Sequence, residues 1–106
     1  MEQLLTLMEE KVMIICNCYF TSDKTDMKEF YKVLCEEGFV EGSRKDEGNL
    51  MYDFFINVDD TKRMVLIEKW ESVEDLQAHS ETELFSKFRP TCKEYEVKTK
   101  LSMYEE

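Results

Sequence analysis

Histidine is almost absent from this sequence, and its cysteines are not spaced as metal ligands usually are. The chain has one histidine and four cysteines, and no two cysteines form a CxxC pair. A structural zinc site needs four such ligands in close pairs, so no metal site is expected. Cys16 and Cys18 point to the same side of a predicted strand and make a poor disulfide. We therefore expect free, buried thiols, as in the reducing cytoplasm.

Positive charge is also scarce, and long apolar runs are missing. The 14 lysines and arginines are outnumbered by 24 acidic residues, which leaves a formal net charge of −10. Nucleic-acid backbones and anionic membrane surfaces repel such a protein, so neither is an expected partner. No apolar run approaches the roughly 20 residues of a membrane span, and the acidic start does not resemble a secretory signal. We expect a cytoplasmic protein, with an extension at residues 1–10 and a single domain at residues 11–106.

The first half of the sequence predicts a strand, a helix and a loop. Residues 11–20 are apolar and β-branched, as is typical of a strand. A helix follows, because apolar residues recur at spacings of three and four. These residues are Met27, Phe30, Tyr31, Leu34 and Cys35. Asp23 or Thr25 can cap its start and Gly38 suits its end, after which residues 41–48 predict a polar loop.

The second half predicts a hairpin, two short helices and a last strand. In order, these are strands at 49–57 and 64–71, helices at 73–79 and 81–89, and a strand at 94–103. Ser72 with Asp75, and Ser80 with Glu83, form capping-box patterns at the two helix starts. Pro90 is predicted to end the second helix.

The resulting order β-α-β-β-α-β predicts a ferredoxin-like α+β fold, with one antiparallel sheet and two helices on one face. Both sides of the first two predicted strands are largely apolar. The helices can cover only one sheet face, and a large exposed apolar face is rare on a monomer. We therefore expect a homodimer in which a second copy covers the other sheet face.

Three blocks of sequence, spread over residues 11–103, carry a family resemblance. They are EGNLMYD (47–53), DDTKR with VLIEKWES (59–72), and AH followed by ELF and KF (78–88). In this order and spacing they resemble the antibiotic biosynthesis monooxygenase (ABM) superfamily of dimeric α+β barrels. The resemblance implies a pocket between helices and sheet in each subunit. Members include cofactor-independent quinol or anthrone monooxygenases, haem-degrading enzymes and an isomerase that acts on a quorum-sensing signal.

The resemblance also implies roles for individual residues. His79 matches the family's histidine after the short helix, and Trp70 matches its strand-end tryptophan. Asn17 falls near a first-strand position where some members hold a pocket asparagine. Haem degraders hold iron with a histidine further along, where this chain has Arg89. No cofactor is therefore expected, although haem binding stays open as a weaker alternative.

Oxygenation without a cofactor requires a base, a dry pocket and groups that orient an electron-rich ring. His79 is the one side chain that titrates near neutrality, so we predict it to be the catalytic base, beside Trp70. Asn17 or Glu68 is predicted to hold a ring oxygen, and a buried Glu68 would have a raised pKa or a partner. The predicted aromatic pocket for a small aromatic substrate consists of Trp70, Tyr52, Phe30, Phe85 and Phe88.

Purely structural roles remain open for the same residues. His79 could favourably end a helix, where positive charge is stabilised, and Trp70 and Tyr52 could be core packing. Glu68 could form an ion pair with an arginine, and Asn17 could make a sheet-edge or dimer contact. Three functions follow: a monooxygenase of quinol-like or polycyclic phenols, an acid–base isomerase or degradation enzyme for a signalling metabolite, or a non-catalytic ligand-binding dimer.

Overall fold

The computed structural model describes residues 12–106, so the extension predicted at residues 1–10 lies outside the described residues. The strands and helices of this part follow one another in the predicted alternation. They are β1 (Ile14–Thr21), α1 (Met27–Glu36), α2 (Phe39–Lys45), β2 (Asn49–Ile56), β3 (Arg63–Trp70), α3 (Val73–Ser80), α4 (Glu83–Ser86), α5 (Phe88–Glu94) and β4 (Lys98–Glu105).

The four strands form one antiparallel sheet in the order β2-β3-β1-β4. This order, combined with the β-α-β-β-α-β succession, is the ferredoxin-like α+β arrangement and confirms the fold class predicted from the sequence. β1 and β3 pair so that Cys16 lies opposite Glu68 and Asn17 lies opposite Ile67. Since side chains alternate along a strand, these two pairs project from opposite faces of the sheet.

The main core lies between one face of the sheet and helices α1, α2 and α5. Phe20 of β1 is fully buried, and its ring centroid lies 5.9 Å from that of Phe30 in α1 and 6.0 Å from that of Phe88 in α5. Burial of such an aromatic side chain contributes about 1.5–3 kcal/mol. The two contacts of Phe20 therefore help to hold α1 and α5 against the sheet. A smaller buried cluster consists of Ile14, Cys16 and Trp70.

The segment predicted as a polar loop at residues 41–48 is instead largely helical, because α2 extends to Lys45. Gly38 ends α1 as predicted, with a φ of 85°, and the chain passes directly into α2. Phe39 and Val40 are buried in the core, and this anchorage outweighs the poor helix propensity of the glycine within α2. The loop prediction was wrong because local composition does not show this tertiary contact.

Two helix caps differ from those predicted. Asp26 caps α1, because its side chain accepts a hydrogen bond from a first-turn amide at 2.8 Å, so neither Asp23 nor Thr25 is the cap. Thr82 caps α4, because Ser80 is still the last residue of α3. Several residues of capping type precede each helix, and the sequence alone does not choose between them.

Pro90 does not end a helix, because it is the third residue of α5. First-turn amides have no partner within a helix, so the missing N–H of proline costs little there. The helix continues to Glu94, and β4 begins at Lys98 rather than at residue 94. Glu96, in the turn between them, has a φ of 56°, which is the left-handed region that favours glycine.

The sheet face turned away from the helices carries exposed aromatic side chains. Tyr19 of β1 and Phe55 of β2 are 43% and 48% exposed, and both lie opposite Val65 of β3. Asn17 lies on the same face, and its side-chain oxygen is buried without a hydrogen-bond partner among residues 12–106. These four residues define what we call the open face.

Candidate functional site

A cavity of about 720 Å³ lies between the sheet and helices α2, α3, α4 and α5. Its volume is in the range of about 300–1,000 Å³ that is typical of small-molecule sites. Its floor is formed by sheet residues that include Cys16, Cys18, Tyr52, Leu66 and Glu68. Its walls include His79, Phe85 and Phe88. The cavity is therefore mostly apolar, with a few polar groups at defined positions.

Helix α3, which carries His79 in its last turn, is held firmly at its start. The Ser72 hydroxyl accepts a hydrogen bond from the amide of Asp75 at 3.2 Å and donates one to its carboxylate at 2.9 Å. This confirms the helix start predicted from the Ser72 pattern. Gly48 approaches Asp75 so closely that a Cβ atom would overlap the carboxylate, and its carbonyl accepts from the Glu71 amide at 2.8 Å. The start of β2 thus fixes the helix that positions His79.

The single histidine is paired with a carboxylate at the edge of the cavity. His79 Nδ1 lies 2.7 Å from Oδ2 of Asp46, the residue that ends α2. An ionised carboxylate only accepts hydrogen bonds, so Nδ1 must carry the proton that is donated. In a neutral ring this leaves Nε2 as the acceptor, and Nε2 has no hydrogen-bond partner among the described residues. The His79 side chain is only 6% exposed, so the imidazole is largely shielded from water, whereas the Asp46 side chain is 30% exposed.

Trp70 lies directly behind the imidazole and does not line the cavity. Its side chain is fully buried, and its ring centroid is 4.6 Å from that of His79 with a 34° tilt between the rings. On the other side, the Phe85 ring meets the imidazole edge-on at 5.3 Å. The two aromatic rings restrict the rotation of the imidazole, so the ring nitrogens have a fixed direction.

Glu68 is a buried carboxyl group beside the imidazole. It is 8% exposed and lines the cavity, and its Oε1 accepts a hydrogen bond from Trp70 Nε1 at 3.1 Å. Burial raises the pKa of Glu68, while this hydrogen bond and the nearby charge of His79 act in the opposite direction. The partner is thus a tryptophan and not the arginine considered from the sequence. Because its pKa is raised, Glu68 is suited to donate or return a proton.

The thiols and the phenol on the cavity floor stay protonated. Burial raises the pKa of Cys16 and of Cys18 to about 12 each, and the charge of Glu68 adds to the shift. Burial also raises the pKa of Tyr52, again with a contribution from Glu68. A thiol reacts as a nucleophile only as its thiolate, so neither cysteine is a nucleophile at neutral pH. Both are free and buried, as expected from their spacing.

The structure brings most of the predicted site residues together. Tyr52, Glu68, His79, Phe85 and Phe88 all line the one cavity, although Tyr52 and Glu68 come from the sheet and the others from the helices. They converge because β2 and β3 pair with Tyr52 opposite Glu68, and α3 crosses above this pair.

Three other predicted residues lie elsewhere. Asn17 projects from the open face, because it stands between Cys16 and Cys18, which face the cavity. Its predicted role in holding a ring oxygen therefore does not fit this cavity. Phe30 is fully buried in the main core and does not line the cavity, and Trp70 acts from behind His79. For Phe30 and Trp70, the packing alternative describes their surroundings better than direct contact with a substrate.

Asp46, the carboxylate partner of His79, is a candidate site residue that the sequence did not indicate. It lies 33 positions before its partner, His79, within a segment predicted to be a polar loop. The contact exists only because α2 folds onto the sheet and ends beside α3. A carboxylate directly after a short helix has no local pattern that distinguishes it from a solvated surface residue, so only the tertiary structure identifies it.

The described part of the chain holds no cluster of three His, Cys, Asp or Glu side chains that could bind a metal ion. Across residues 12–106, none of the helices is long and apolar enough to cross a membrane. The titratable groups of the cavity include one imidazole paired with a carboxylate and one buried carboxyl group, and they lie beside an aromatic wall.

Known proteins match both the sequence and the fold. A family model described as antibiotic biosynthesis monooxygenase matches residues 13–91. The Bacillus subtilis (strain 168) protein named "Putative monooxygenase YcnE" is 32% identical over 82 residues, which cover 77% of this chain and 84% of that protein. The residues matched by the family model, 13–91, contain both partners of the histidine–carboxylate pair and all the cavity residues of the β2–β3 hairpin.

Solved structures superpose over most of the chain. A conserved protein from Bacteroides thetaiotaomicron VPI-5482, described as a "possible oxidoreductase", has a TM-score of 0.78 at 25% identity, over 91% of this chain and 99% of that one. A protein from Deinococcus radiodurans, described as a "putative antibiotic biosynthesis monooxygenase", has a TM-score of 0.77 at 15% identity, over 88% and 91%. The second likeness shows the fold alone. The family model covers well over half of the sequence, so this chain belongs to the antibiotic biosynthesis monooxygenase family.

Proposed function

We propose that this protein is a cofactor-independent monooxygenase that oxidises a quinol-like or polycyclic phenolic molecule with dioxygen. The observation that carries this proposal is the His79–Asp46 pair, which presents a base to a mostly apolar, aromatic cavity. Membership of the family supports the class of reaction. The aromatic walls support an aromatic substrate, because flat rings pack favourably against Phe85 and Phe88.

The reaction begins with a proton transfer. Nε2 of His79 removes the phenolic proton, and the Asp46 carboxylate stabilises the imidazolium that forms. The phenolate then gives one electron to dioxygen, and the resulting radical pair combines at a ring carbon to form a peroxide anion. This anion takes the proton back from the imidazolium of His79 and becomes a hydroperoxide. Loss of the C–H proton and cleavage of the O–O bond give a ring carbonyl and water. One oxygen atom thus enters the substrate, the other leaves as water, and both electron pairs come from the substrate.

Glu68 has a separate role in this scheme. Burial raises the pKa of Glu68 and so favours its protonated form, and in our proposal this proton passes to the oxygen that leaves as the O–O bond breaks. Trp70 orients both groups, since its ring packs on His79 and its Nε1–H binds Glu68. Asp46 and Trp70 are positioning residues, and the mostly apolar walls of the cavity disfavour water that would compete for the reactive intermediates.

A homodimer through the open face is part of the proposal. Exposed Tyr19 and Phe55 and the unpartnered oxygen of Asn17 favour a second copy there, because a buried unpaired polar atom costs about 1–3 kcal/mol. A donor from the second copy would satisfy that oxygen. The four free thiols favour a reducing compartment, and we propose the cytoplasm.

Oxygen consumption by metal-free protein tests the proposal, with a panel of hydroquinones and anthrones as substrates. We expect uptake that falls by about 10²–10⁴-fold in His79→Ala, as is usual for loss of a general base. Glu74→Gln is the matched control, because Glu74 is an exposed carboxylate on α3 outside the cavity. Uptake that is the same in His79→Ala and the wild type would contradict the assignment of the base.

Asp46→Asn tests the positioning role with a spectroscopic signal. An asparagine amide can donate to Nδ1, which would move the imidazole proton to Nε2 and remove the acceptor that the substrate needs. We expect kcat to fall with little change in KM, together with ¹⁵N chemical shifts of His79 that report the other tautomer. A purely structural role predicts a lower stability with the wild-type tautomer.

An acid–base isomerase is the second candidate, because His79 and Glu68 both reach the same cavity. Such an enzyme would move a proton between two substrate carbons with one group as base and the other as acid. It would turn over its substrate without oxygen. Product formation under anaerobic conditions, lost in His79→Ala, would favour this alternative over the monooxygenase.

A further inference from the structure

The charged side chains around the cavity are unusual for so acidic a protein. The formal net charge of the chain is −10, yet the Asp, Glu, Lys and Arg side chains that line the cavity are Glu68, Arg89 and Lys93. Glu68 is the one acid, and burial favours its neutral form. Arg89 and Lys93 therefore give the α5 side of the cavity two positive charges, which favour an anionic group of a ligand on that side.

Arg89 and Lys93 act from one side of the cavity. Both belong to α5 and are four positions apart, so their side chains project from the same face of that helix. Burial raises the pKa of Cys92 to about 11, and the positive charge of Arg89 opposes this rise. This opposing effect indicates that the guanidinium lies near the buried thiol, which also lines the cavity. These two cations form what we call the cationic rim.

The cationic rim and the base lie on different sides of the ligand space. Helix α5 packs against β4, whereas α3, which carries His79, packs against β3. β1 separates these two strands in the sheet. With adjacent strands about 4.8 Å apart, β3 and β4 are separated by roughly 10 Å. A ligand that reaches both sides must therefore extend across the cavity.

The cations of the rim are available to a ligand. Neither Arg89 nor Lys93 takes part in the ion pairs found among residues 12–106. Both side chains are exposed, so binding an anion does not require them to leave an existing partner. The planar guanidinium of Arg89 matches the geometry of a carboxylate with two parallel hydrogen bonds, and Lys93 adds a point charge.

We infer that the substrate is a polycyclic phenol or quinol with an anionic group, best a carboxylate, at the end far from the hydroxyl that His79 deprotonates. Arg89 and Lys93 bind this anionic group and so set the orientation of the rings. The inference rests on the proposed function for the identity of the phenol end, while the anion site stands on the charge of the cavity.

Binding of two matched probes tests the inference without turnover. Anthraquinone carboxylate and the corresponding anthraquinone carboxamide have the same ring system and differ in charge, and neither reacts with oxygen. We expect the carboxylate to bind the wild-type protein about tenfold or more tightly than the carboxamide, as measured by calorimetry. The double variant Arg89→Gln/Lys93→Gln should remove this preference and leave carboxamide binding within about twofold.

Lys87→Gln is the matched control, because Lys87 is exposed between α4 and α5 and does not line the cavity. It removes one positive charge from the same region and should keep the preference for the carboxylate. Equal binding of the two probes, or an equal loss of preference in Lys87→Gln, would overturn the inference. Failure of both probes to bind would overturn it as well. All three side chains are exposed, so the variants should fold, and their thermal transitions verify this.

The outcome also separates this inference from the proposed function. If the carboxylate preference is present but no phenol with an anionic group consumes oxygen, the anion site stands and the monooxygenase proposal fails. If neutral and anionic anthrones are oxidised with equal kcat/KM in the wild type and in the double variant, the monooxygenase stands and the anion site fails.

Discussion

Glu68 is a carboxyl group held where its charged form is costly. Only the indole N–H of Trp70 and the nearby imidazole of His79 favour ionisation, and they do not offset the loss of water around the carboxyl group. The pKa of Glu68 is consequently higher in the folded protein than in the unfolded chain. Such a group does not lower the free energy of unfolding while it is protonated in both states. It lowers this free energy once the unfolded chain has lost the proton.

We expect Glu68→Gln to change how stability depends on pH. Below the ordinary carboxyl pKa of about 4.3, wild-type Glu68 is neutral in both states and behaves much like glutamine. As the pH rises towards the raised pKa, the unfolded chain loses its proton first, so the free energy of unfolding falls by up to about 1.4 kcal/mol per pH unit. Glutamine removes this loss, so the variant gains stability relative to the wild type as the pH rises above about 4.

Urea unfolding of both proteins across this pH range measures the difference. Glu74→Gln removes an exposed carboxylate from α3 and is the matched control. The glutamine carbonyl can still accept the hydrogen bond from Trp70, so packing around the indole is retained. A stability difference between Glu68→Gln and the wild type that stays constant from acid to neutral pH would show that the environment of Glu68 does not shift its titration.

At the scale of elements, the turn between α5 and β4 contains a strained residue. Glu96 adopts a φ of 56°, while the helix end is closed by hydrogen bonds from the amides of Glu96 to Lys93 at 3.1 Å and of Val97 to Cys92 at 2.9 Å. This double closure is the usual one for a helix that ends in a left-handed residue, and glycine is the residue that fits it best.

Glu96→Gly is therefore expected to stabilise the protein. Relief of the left-handed conformation gains about 1–2 kcal/mol, while the greater freedom of glycine in the unfolded chain returns about 0.4–1 kcal/mol of this. The exposed ion pair with Lys24 contributes little. We expect a net gain of about 0.5 kcal/mol in the free energy of unfolding by urea titration.

The same change two residues earlier provides the control. Glu94 has helical geometry as the last residue of α5, so Glu94→Gly should lower the free energy of unfolding by about 0.5–1 kcal/mol. If both substitutions destabilised the protein to a similar extent, the strain at Glu96 would not be the factor that decides the effect.

The elements show which parts of the fold can be read from the sequence. The strands are visible in the sequence because runs of apolar and β-branched residues are local. Helices α1 and α3 are visible because the apolar spacing of α1 and the Ser72 cap of α3 are local too. Helix α2 was missed because its stability comes from burying Phe39 and Val40, which no local pattern reveals. The predicted start of β4 is too early, because Pro90 is expected to end a helix, whereas it stands in the first turn of a helix that continues to Glu94.

The residues of the candidate site also divide into those that a local pattern indicates and those that only tertiary contacts bring together. His79 and Glu68 were predicted because a lone imidazole and an inward-facing carboxyl group are visible in the sequence. Asp46 was not predicted, because its contact with His79 depends on how α2 packs. Asn17 was assigned to the pocket from the resemblance, whereas the alternation of β1 places it on the open face. Face assignment, more than residue type, decides which side chains can meet a ligand.

At the scale of the whole molecule, the open face is the surface on which we propose that a second copy packs. Tyr19, Val65 and Phe55 lie in one row across β1, β3 and β2, and the unpartnered oxygen of Asn17 is on the same face. A two-fold interface places the same patch on both subunits, so one aromatic row would pack against its own copy. Such an interface would also hold the sheets that form the cavity floors in a fixed relation.

Phe55→Glu should convert the proposed dimer into a monomer. Burial of a phenylalanine contributes about 1.5–3 kcal/mol, and a buried carboxylate without a partner costs still more. The dimer should therefore dissociate at least about a hundredfold more readily, since each 1.4 kcal/mol is a factor of ten. Phe55 is 48% exposed in the single chain, so the variant chain should retain its fold.

Val58→Glu is the matched control, because Val58 is 93% exposed in the turn after β2, away from the open face. Sedimentation should give the dimer mass for the wild type and for Val58→Glu, and the chain mass for Phe55→Glu. A wild-type protein that sediments as a monomer would show that the open face is not a homodimer interface.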